Sequence, residues 1–241
     1  MKYLRIIGIL IIGFFACNTS NETTISEKDK MMIESLEKNW KTLIAKFTDS
    51  TSLINDSWEK IKQYYTEEHR AYHNLTHINN MLNEAAKFDH EIIDKEVLFF
   101  AIWFHDIIYD PMGKENEKAS AELANSVLSQ TNLSPERIAK CYELIMLTIK
   151  HQPAATAPLD DKLLIDFDLE ILSRDWEAYK TYSEQIRKEY WMYPGPLFKS
   201  GRKAAMGKFL ERPTIYQTPF YQKEKEAKAR ANIKKKMEEL L

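Results

Sequence analysis

A histidine and an aspartate stand side by side in the most apolar part of the chain. In the segment VLFFAIWFHDIIY, eight apolar residues from Val97 to Phe104 lead directly into His105 and Asp106, and apolar residues then resume. An unpaired carboxylate in an apolar interior costs several kcal/mol or more. The Asp106 carboxylate is therefore expected to be ion-paired or bound to a cation.

Four further segments carry imidazole, carboxylate or amide side chains that could meet this pair. They are AYHNLTHINNML with His73 and His77, GKENEKASAEL with Asn116 and Glu117, TIKHQP with His151, and LLIDFDLEIL with Asp166 and Asp168. Imidazoles and carboxylates together suit a divalent transition metal such as Mn²⁺, Fe²⁺, Co²⁺ or Zn²⁺. Adjacent helical residues lie about 100° apart, which lets His105 and Asp106 flank one ion. Asp166 and Asp168 would lie about 200° apart on a helix, so only one of them should face that ion.

The apolar residues that must position these side chains have helical spacing almost throughout. From Glu27 onward they recur every three or four positions, and no stretch sustains a period of two. The spacing predicts helices near 32–47, 53–65 and 78–85, and over 116–130, 135–150, 175–192, 197–211 and 219–240. Residues 95–109 are apolar on every face and too long for a typical strand, which indicates a buried central helix. We therefore predict one all-α domain, a helical bundle over residues 29–241.

The first residues of the chain form a separate pattern. Lys2 and Arg5 flank a short apolar run that ends in FFAC at Cys17. A spanning helix needs roughly 20 apolar residues, so this run is more typical of a secretory signal, with an uncleaved anchor helix as the alternative. FFAC resembles a bacterial lipobox. It predicts a signal peptide over 1–16, lipidation of Cys17, a polar tether over 17–28, and export to the surface of a cell-envelope membrane.

Charge and cysteine content bear on two further properties, nucleic-acid binding and disulfide bonding. Loss of residues 1–16 would reduce the 34 lysines and arginines to 32 against 36 acidic residues, a net charge of −4. This balance gives no global basic field, and the lysines of the last predicted helix alternate with glutamates, so we expect no nucleic-acid partner. Cys141 would be the one cysteine without lipid, which excludes an internal disulfide.

Taken in order, the motifs resemble the HD-domain metal-dependent phosphohydrolases. The similarity is to one bacterial subgroup, spans roughly residues 55 to 240, and rests on RAYHNLTHINNML, AIWFHDIIYDP, ENEKASAEL, DFDLEIL, EY at 189–190, GR at 201–202 and ARANI at 229–233. The resemblance implies a single HD-domain bundle that binds one divalent transition metal through His77, His105, Asp106 and Asp168. The export signal departs from the family, whose members are more often cytoplasmic.

The resemblance also implies residues that act beside the metal. Glu117, next to Asn116, is expected to position or deprotonate the attacking water; the alternative is that it complements the charge of a helix N-terminus. His73 is expected to contact the substrate or leaving group, or else only to neighbour His77 on a helix surface. Asp166 or Glu117 would accept the second N–H of a ligating imidazole.

Other residues are candidates for binding the substrate. Arg70, Lys150, Arg202 and Arg230 could clamp a phosphate, the arginines because guanidinium offers a bidentate fork, although each residue alone is more typical of an exposed charge. Arg70 is favoured because it lies one turn before His73 in the sequence. His151 is expected to contact the phosphate or support a ligand, and a second-metal role is less favoured.

These observations predict a metal-dependent phosphohydrolase that acts on a small nucleotide or phosphorylated metabolite. Hydroxide generated at the metal would attack phosphorus and cleave a phosphoester or phosphoanhydride bond. One alternative is a catalytically silent HD domain that senses a nucleotide or metal. A second is a purely structural helical lipoprotein, which would leave the polar residues in apolar segments unexplained.

Overall fold

The computed structural model describes residues 26–240, and within this range the chain is all-α, as predicted. Its helices are α1 (Glu27–Ile44), α2 (Thr51–Tyr65), α3 (Leu75–Ala86), α4 (Lys95–Phe104), α5 (Asn116–Leu128), α6 (Pro135–Leu147), α7 (Leu159–Asp168), a 3₁₀ helix (Leu169–Ser173), α8 (Trp176–Glu189), α9 (Gly195–Glu211), α10 (Pro219–Glu224) and α11 (Glu226–Glu239). No helix among residues 26–240 combines the length and hydropathy needed to cross a bilayer. The predicted signal peptide, Cys17 and residues 17–25 of the predicted tether lie outside the described residues.

Capping side chains fix where most of these helices begin. The residues whose side chains accept a backbone N–H at a helix start are Ser26, Ser50, Asn74, Asp94, Ser134, Asp175 and Thr218. Each such cap typically contributes about 1 kcal/mol. Because Ser26 caps α1, the helix begins at Glu27, and the last two residues of the predicted tether belong to the folded domain.

The central buried helix is α4, and it is shorter than predicted. It packs against α3, α5, α6 and α7, which explains why almost every face of it is apolar. The rings of Phe100, Trp103 and Phe104 meet the ring of Trp40 edge-on, with centroids 5.6 to 5.8 Å apart. The helix ends at Phe104, and His105 is its C-cap residue. His105 and Asp106 therefore lie at the edge of the core, where the chain turns.

The second half of the chain departs from the prediction in two places. Helix α7 and the 3₁₀ helix occupy residues 159–173, for which no helix was predicted. Seven of the ten residues of α7 are buried, so it has no broad polar face that would reveal a helical period. The predicted helix over 219–240 is two helices, separated at Lys225, whose amino group pairs with the buried Glu170 at 3.0 Å.

Candidate metal centre

Three separate segments bring the four predicted ligands to one place. His77 lies in the first turn of α3, His105 and Asp106 follow α4, and Asp168 is the last residue of α7. The two imidazoles are 3% and 1% exposed, whereas the side chains of Asp106 and Asp168 keep 18% and 12% exposure. The cluster is therefore buried on the imidazole side and accessible on the carboxylate side.

Three of these side chains, His77, His105 and Asp106, offer ligand atoms that lie within 4.8 Å of one another, and Asp168 approaches the two imidazoles. The Nε2 atoms of His77 and His105 are 3.1 Å apart. The Asp106 Oδ2 atom is 3.1 Å from the Nε2 atom of His105 and 4.0 Å from that of His77. The Asp168 Oδ1 atom is 3.4 Å from the Nε2 atom of His77 and 3.9 Å from that of His105. Ligand atoms about 2.1 Å from one ion are about 3.0–3.4 Å apart when adjacent and about 4.2 Å apart when opposite.

The hydrogen bond made by His105 Nδ1 leaves Nε2 as the ring nitrogen that could bind a metal. Its Nδ1 atom lies 2.9 Å from the carbonyl oxygen of Ile102, which can only accept a hydrogen bond, so Nδ1 carries the proton. In the neutral ring the Nε2 lone pair then points at the Nε2 atom of His77. Two imidazole lone pairs repel at this distance, so a proton or a cation between them is required. The donor set fits a divalent transition metal.

Ionised carboxylates make this centre attractive to positive charge. Burial lowers the pKa of His105, but the carboxylates of Asp106 and Asp168 outweigh burial and raise that pKa to about 9. Burial, reinforced by the charge on His105, lowers the pKa of His77. Burial raises the pKa of the Asp106 and Asp168 carboxyls, but the imidazoles around them together have the larger effect. The pKa of each carboxyl therefore lies below its usual range. A divalent ion supplies more of the required positive charge than a single proton does.

His151 supports Asp168 from the side away from His77. Its Nε2 atom is 2.8 Å from Asp168 Oδ2, while Asp168 Oδ1 faces His77. His151 adopts a positive φ of 48°, which is uncommon for a residue other than glycine. Arg212 holds this turn by donating to the carbonyl oxygens of His151 and Lys150 at 2.9 and 2.8 Å. The contact with Asp168 is the supporting role favoured for His151 from the sequence.

His73 lies beside the centre but not on a helix. Asn74 is the N-cap residue of α3, so the expectation that His73 and His77 share a helical face is wrong. The Nε2 atom of His73 is nevertheless 3.9 Å from Asp106 Oδ2, and its ring centroid is 6.0 Å from that of His77. The turn before α3 thus brings His73 to the centre.

Glu189 orients His73, a role that sequence reasoning missed. This fully buried carboxylate accepts the backbone N–H groups of Tyr72 and His73 at 2.7 and 2.9 Å through Oε1. Its Oε2 atom accepts the His73 Nδ1–H at 2.7 Å and the Tyr109 hydroxyl at 2.9 Å. Burial lowers the pKa of His73, but the bond to Glu189 and the negative charges of Asp106, Glu189 and Asp168 together outweigh burial and raise that pKa.

Arg70 does not face the centre, which corrects its prediction as a phosphate-binding residue. Its side chain is 0% exposed, and Nε donates to Glu67 at 2.9 Å. The Nη atoms donate to the carbonyl oxygens of His73, Asp106 and Ile107 at 3.1, 2.7 and 2.7 Å. Arg70 therefore joins the turn before α3 to the turn after α4.

The guanidinium of Arg230 likewise makes its hydrogen bonds within the fold. It donates to the carbonyl oxygens of Leu210, Arg212 and Pro213 and to the carboxylate of Glu226. These bonds fasten the end of α9 to α11. The prediction that Arg230 clamps a phosphate is therefore wrong, since its donors are taken by backbone and carboxylate oxygens.

Replacing Arg70 with methionine is expected to lower the free energy of unfolding by about 3 kcal/mol, because three backbone carbonyls lose a donor at about 1 kcal/mol each. Urea denaturation of both proteins would measure this difference. Lys62→Met serves as the control, because this half-exposed lysine pairs only with Glu59, and it should change the free energy by less than about 0.5 kcal/mol. Unchanged stability in Arg70→Met together with lost phosphate binding would restore the original prediction.

Asp166 and Glu117 differ in their relation to the centre. Asp166 points away from it, as expected if only one aspartate of the pair faces the ion. Its carboxylate accepts the backbone N–H groups of Gln217 and Thr218 and the Thr218 hydroxyl, at 2.6 to 2.8 Å. Asp166 therefore anchors the start of α10 and does not support a ligating imidazole. Glu117 lies in the first turn of α5, on the wall of a cavity.

This cavity, of about 810 Å³, adjoins the centre. Its wall includes the predicted site residues His73, Asp106, Glu117, His151, Asp168 and Arg202, but not Arg70. Five basic residues also line it, namely Lys114, Lys150, Arg202, Lys208 and Arg212. Arg202 donates from Nη2 to the Tyr182 hydroxyl at 2.8 Å, which orients its guanidinium. A cavity with these basic groups beside a metal centre suits an anionic ligand.

Comparison with known proteins found no relative of this chain. No model of a protein family, no curated protein and no solved structure matches the chain. The likeness to HD-domain phosphohydrolases therefore rests on the sequence motifs. The geometry of the centre is a separate observation that stands without them.

Proposed function

We propose that this protein is a metal-dependent phosphohydrolase of the HD-domain type, acting on a small nucleotide or phosphorylated metabolite. The observation that carries the proposal is the spacing of the Nε2 atoms of His77 and His105, which lie 3.1 Å from each other and 3.1 to 4.0 Å from carboxylate oxygens of Asp106 and Asp168. These four residues would hold one divalent transition ion. Such an ion lowers the pKa of water and polarises a phosphoryl oxygen.

The other cavity residues supply what hydrolysis needs besides the ion. Arg202 and Lys150 offer positive charge to the phosphate oxygens. Glu117 accepts a proton from the attacking water as the new oxygen–phosphorus bond forms. His73, held by Glu189, donates a proton to the leaving oxygen as the old bond breaks.

Export and lipid anchoring remain part of the proposal. The apolar run of residues 6–16, followed by Cys17, supports a lipoprotein signal. A protein anchored outside the cytoplasm would meet phosphate compounds of the periplasm or cell surface and would not reach cytoplasmic nucleotide pools. Its partners would be the small substrate and the membrane that holds the lipid.

The test is an assay of phosphate and pyrophosphate release from nucleotides, sugar phosphates and pyrophosphate by the Mn²⁺-loaded protein. We expect turnover of at least one substrate, loss of turnover on chelation, and recovery with added Mn²⁺. One bound metal per chain without any turnover would overturn hydrolysis and favour the sensor alternative. A protein that binds no metal would show that the cluster is a buried hydrogen-bonded network.

A further inference from the structure

The cavity is much larger than a phosphate group requires. Its volume of about 810 Å³ is in the range of sites that enclose whole small molecules, about 300–1,000 Å³. If the metal centre holds the phosphate, as the proposed function requires, the remaining space receives the organic part of the substrate. The chemistry of the rest of the cavity wall then indicates what that part is.

The part of the wall formed by residues 182–212, in α8, α9 and the turn between them, is rich in aromatic rings. The rings that line the cavity are those of Tyr182, Tyr190, Tyr193, Phe198 and Phe209. The centroid of Tyr190 lies 5.8 Å from that of Tyr193 and 6.1 Å from that of Phe198, so these rings form a continuous surface. Aromatic surfaces of this kind bind flat apolar groups by stacking.

The same wall lacks the carboxylate and amide side chains that usually accept the hydroxyls of a sugar. Between Tyr182 and Arg212, all within the described part of the chain, no Asp, Glu, Asn or Gln lines the cavity. The many hydroxyls of a sugar need both donors and acceptors around them, and carboxylates and amides are the main side-chain acceptors. The wall therefore favours an aromatic group over a polyhydroxylated one.

Helix α9 lies at the edge of the core, which it joins through Met206, and it contributes to this wall. Of its 17 residues only Met206 is buried, and Phe198, Gly201, Ala205 and Phe209 line the cavity at helical spacing. An apolar face of this kind normally packs against other helices. Here it borders the cavity that adjoins the metal centre.

Gly201 leaves open space at the middle of this face. A Cβ atom added at Gly201 would have no heavy atom within 4 Å. We infer that the space over Gly201 is a subsite for an aromatic group of the substrate, placed between the rings of the α8–α9 wall, and that this subsite selects aromatic phosphate esters. The inference rests on the proposed function for the position of the phosphate.

The test fills that space with a side chain. Gly201→Leu is compared with Gly207→Leu, because Gly207 lies on the same helix with equally open surroundings but does not line the cavity. Calorimetry of the Mn²⁺-loaded proteins would measure binding of two non-hydrolysable probes, naphthylmethylphosphonate and methylphosphonate. We expect the wild type and Gly207→Leu to bind the naphthyl probe at least about 10-fold more tightly than the methyl probe. Gly201→Leu should lose this preference while its affinity for methylphosphonate is unchanged.

Equal affinity of the wild type for both probes would overturn the subsite, as would an unchanged preference in Gly201→Leu. Turnover of naphthyl phosphate is measured in parallel, which separates the subsite from the proposed function. Preferential binding that Gly201→Leu abolishes, without turnover by the wild type, supports the subsite and overturns hydrolysis. Turnover without any preference for the naphthyl group over the methyl group supports hydrolysis and overturns the subsite.

Discussion

Asparagine at position 106 is expected to leave the protein folded while weakening its affinity for Mn²⁺ by about 100-fold or more. The amide has nearly the same shape as the carboxylate but lacks the negative charge, and Asp106 Oδ2 is one of the accessible ligand atoms of the cluster. Phosphohydrolase activity at subsaturating Mn²⁺ should fall by a similar factor. Metal content after gel filtration and competition with a chromophoric chelator would measure the affinity.

Asp166→Asn is the matched control for this experiment. Asp166 is likewise an aspartate in a motif that contains a ligand, but it is fully buried and its carboxylate accepts bonds from Gln217 and Thr218. Its replacement should lower stability by about 1–3 kcal/mol and leave the Mn²⁺ affinity unchanged. Mn²⁺ at 100 times the dissociation constant should stabilise the wild type and Asp166→Asn by about 2.7 kcal/mol, but not Asp106→Asn. If Mn²⁺ stabilised Asp106→Asn as much as the wild type, the proposed metal centre would be overturned, and the proposed function with it.

Much of the fold could be predicted from the sequence because amphipathic helices carry their own period. Helix α1, with Leu36, Trp40 and Leu43 buried on one face, shows the spacing plainly. Helix α7 does not, because the surrounding helices bury it on most sides and even its first-turn Asp160 is buried. The Asp160 carboxylate accepts the backbone N–H groups of Ile93 and Asp94, a tertiary contact that no local pattern reveals.

The candidate ligands could be predicted because each is a polar residue inside an apolar segment. His105 and Asp106 follow the most apolar helix, and Asp168 ends another buried one. Arg70 was misassigned because nearness to His73 along the chain does not determine which way a side chain points. Its guanidinium donates hydrogen bonds to backbone carbonyl oxygens, and a sequence pattern does not reveal such bonds.

The sequence contains a pattern that could have singled out Glu189. It continues the buried face of α8 that contains Tyr179, Tyr182 and Ile186, so a carboxylate occupies a core-facing position of an amphipathic helix. The same reasoning that singled out Asp106 applies to it, because a buried carboxylate needs partners. Tyr72 and His73 are on a turn more than 100 residues earlier in the chain, Tyr109 follows α4, and the identity of these partners required the structure.

Glutamine at position 189 is expected to lower kcat by about 100-fold without changing the metal content. The carboxylate accepts four hydrogen bonds, whereas the amide has a single acceptor oxygen and an NH₂ group that can only donate. If the oxygen stays on the backbone N–H groups of Tyr72 and His73, the NH₂ group faces Nδ1 of His73. The ring must then move or take the other tautomer, and its Nε2 atom is no longer set to exchange a proton with the leaving group.

A double-mutant cycle separates this positioning role from a structural one. His73→Ala alone should lower kcat about as far as Glu189→Gln, and the combined variant should be little worse than either, because both changes remove the same proton transfer. Tyr109→Phe is the matched control: it removes one hydrogen bond from Glu189 Oε2 but keeps the bond to His73, so kcat should change only a few-fold. If Glu189→Gln lowers kcat equally with and without His73, its effect does not pass through the imidazole. Glu189 would then only fasten the turn before α3, and His73 would have no part in the chemistry that this carboxylate controls.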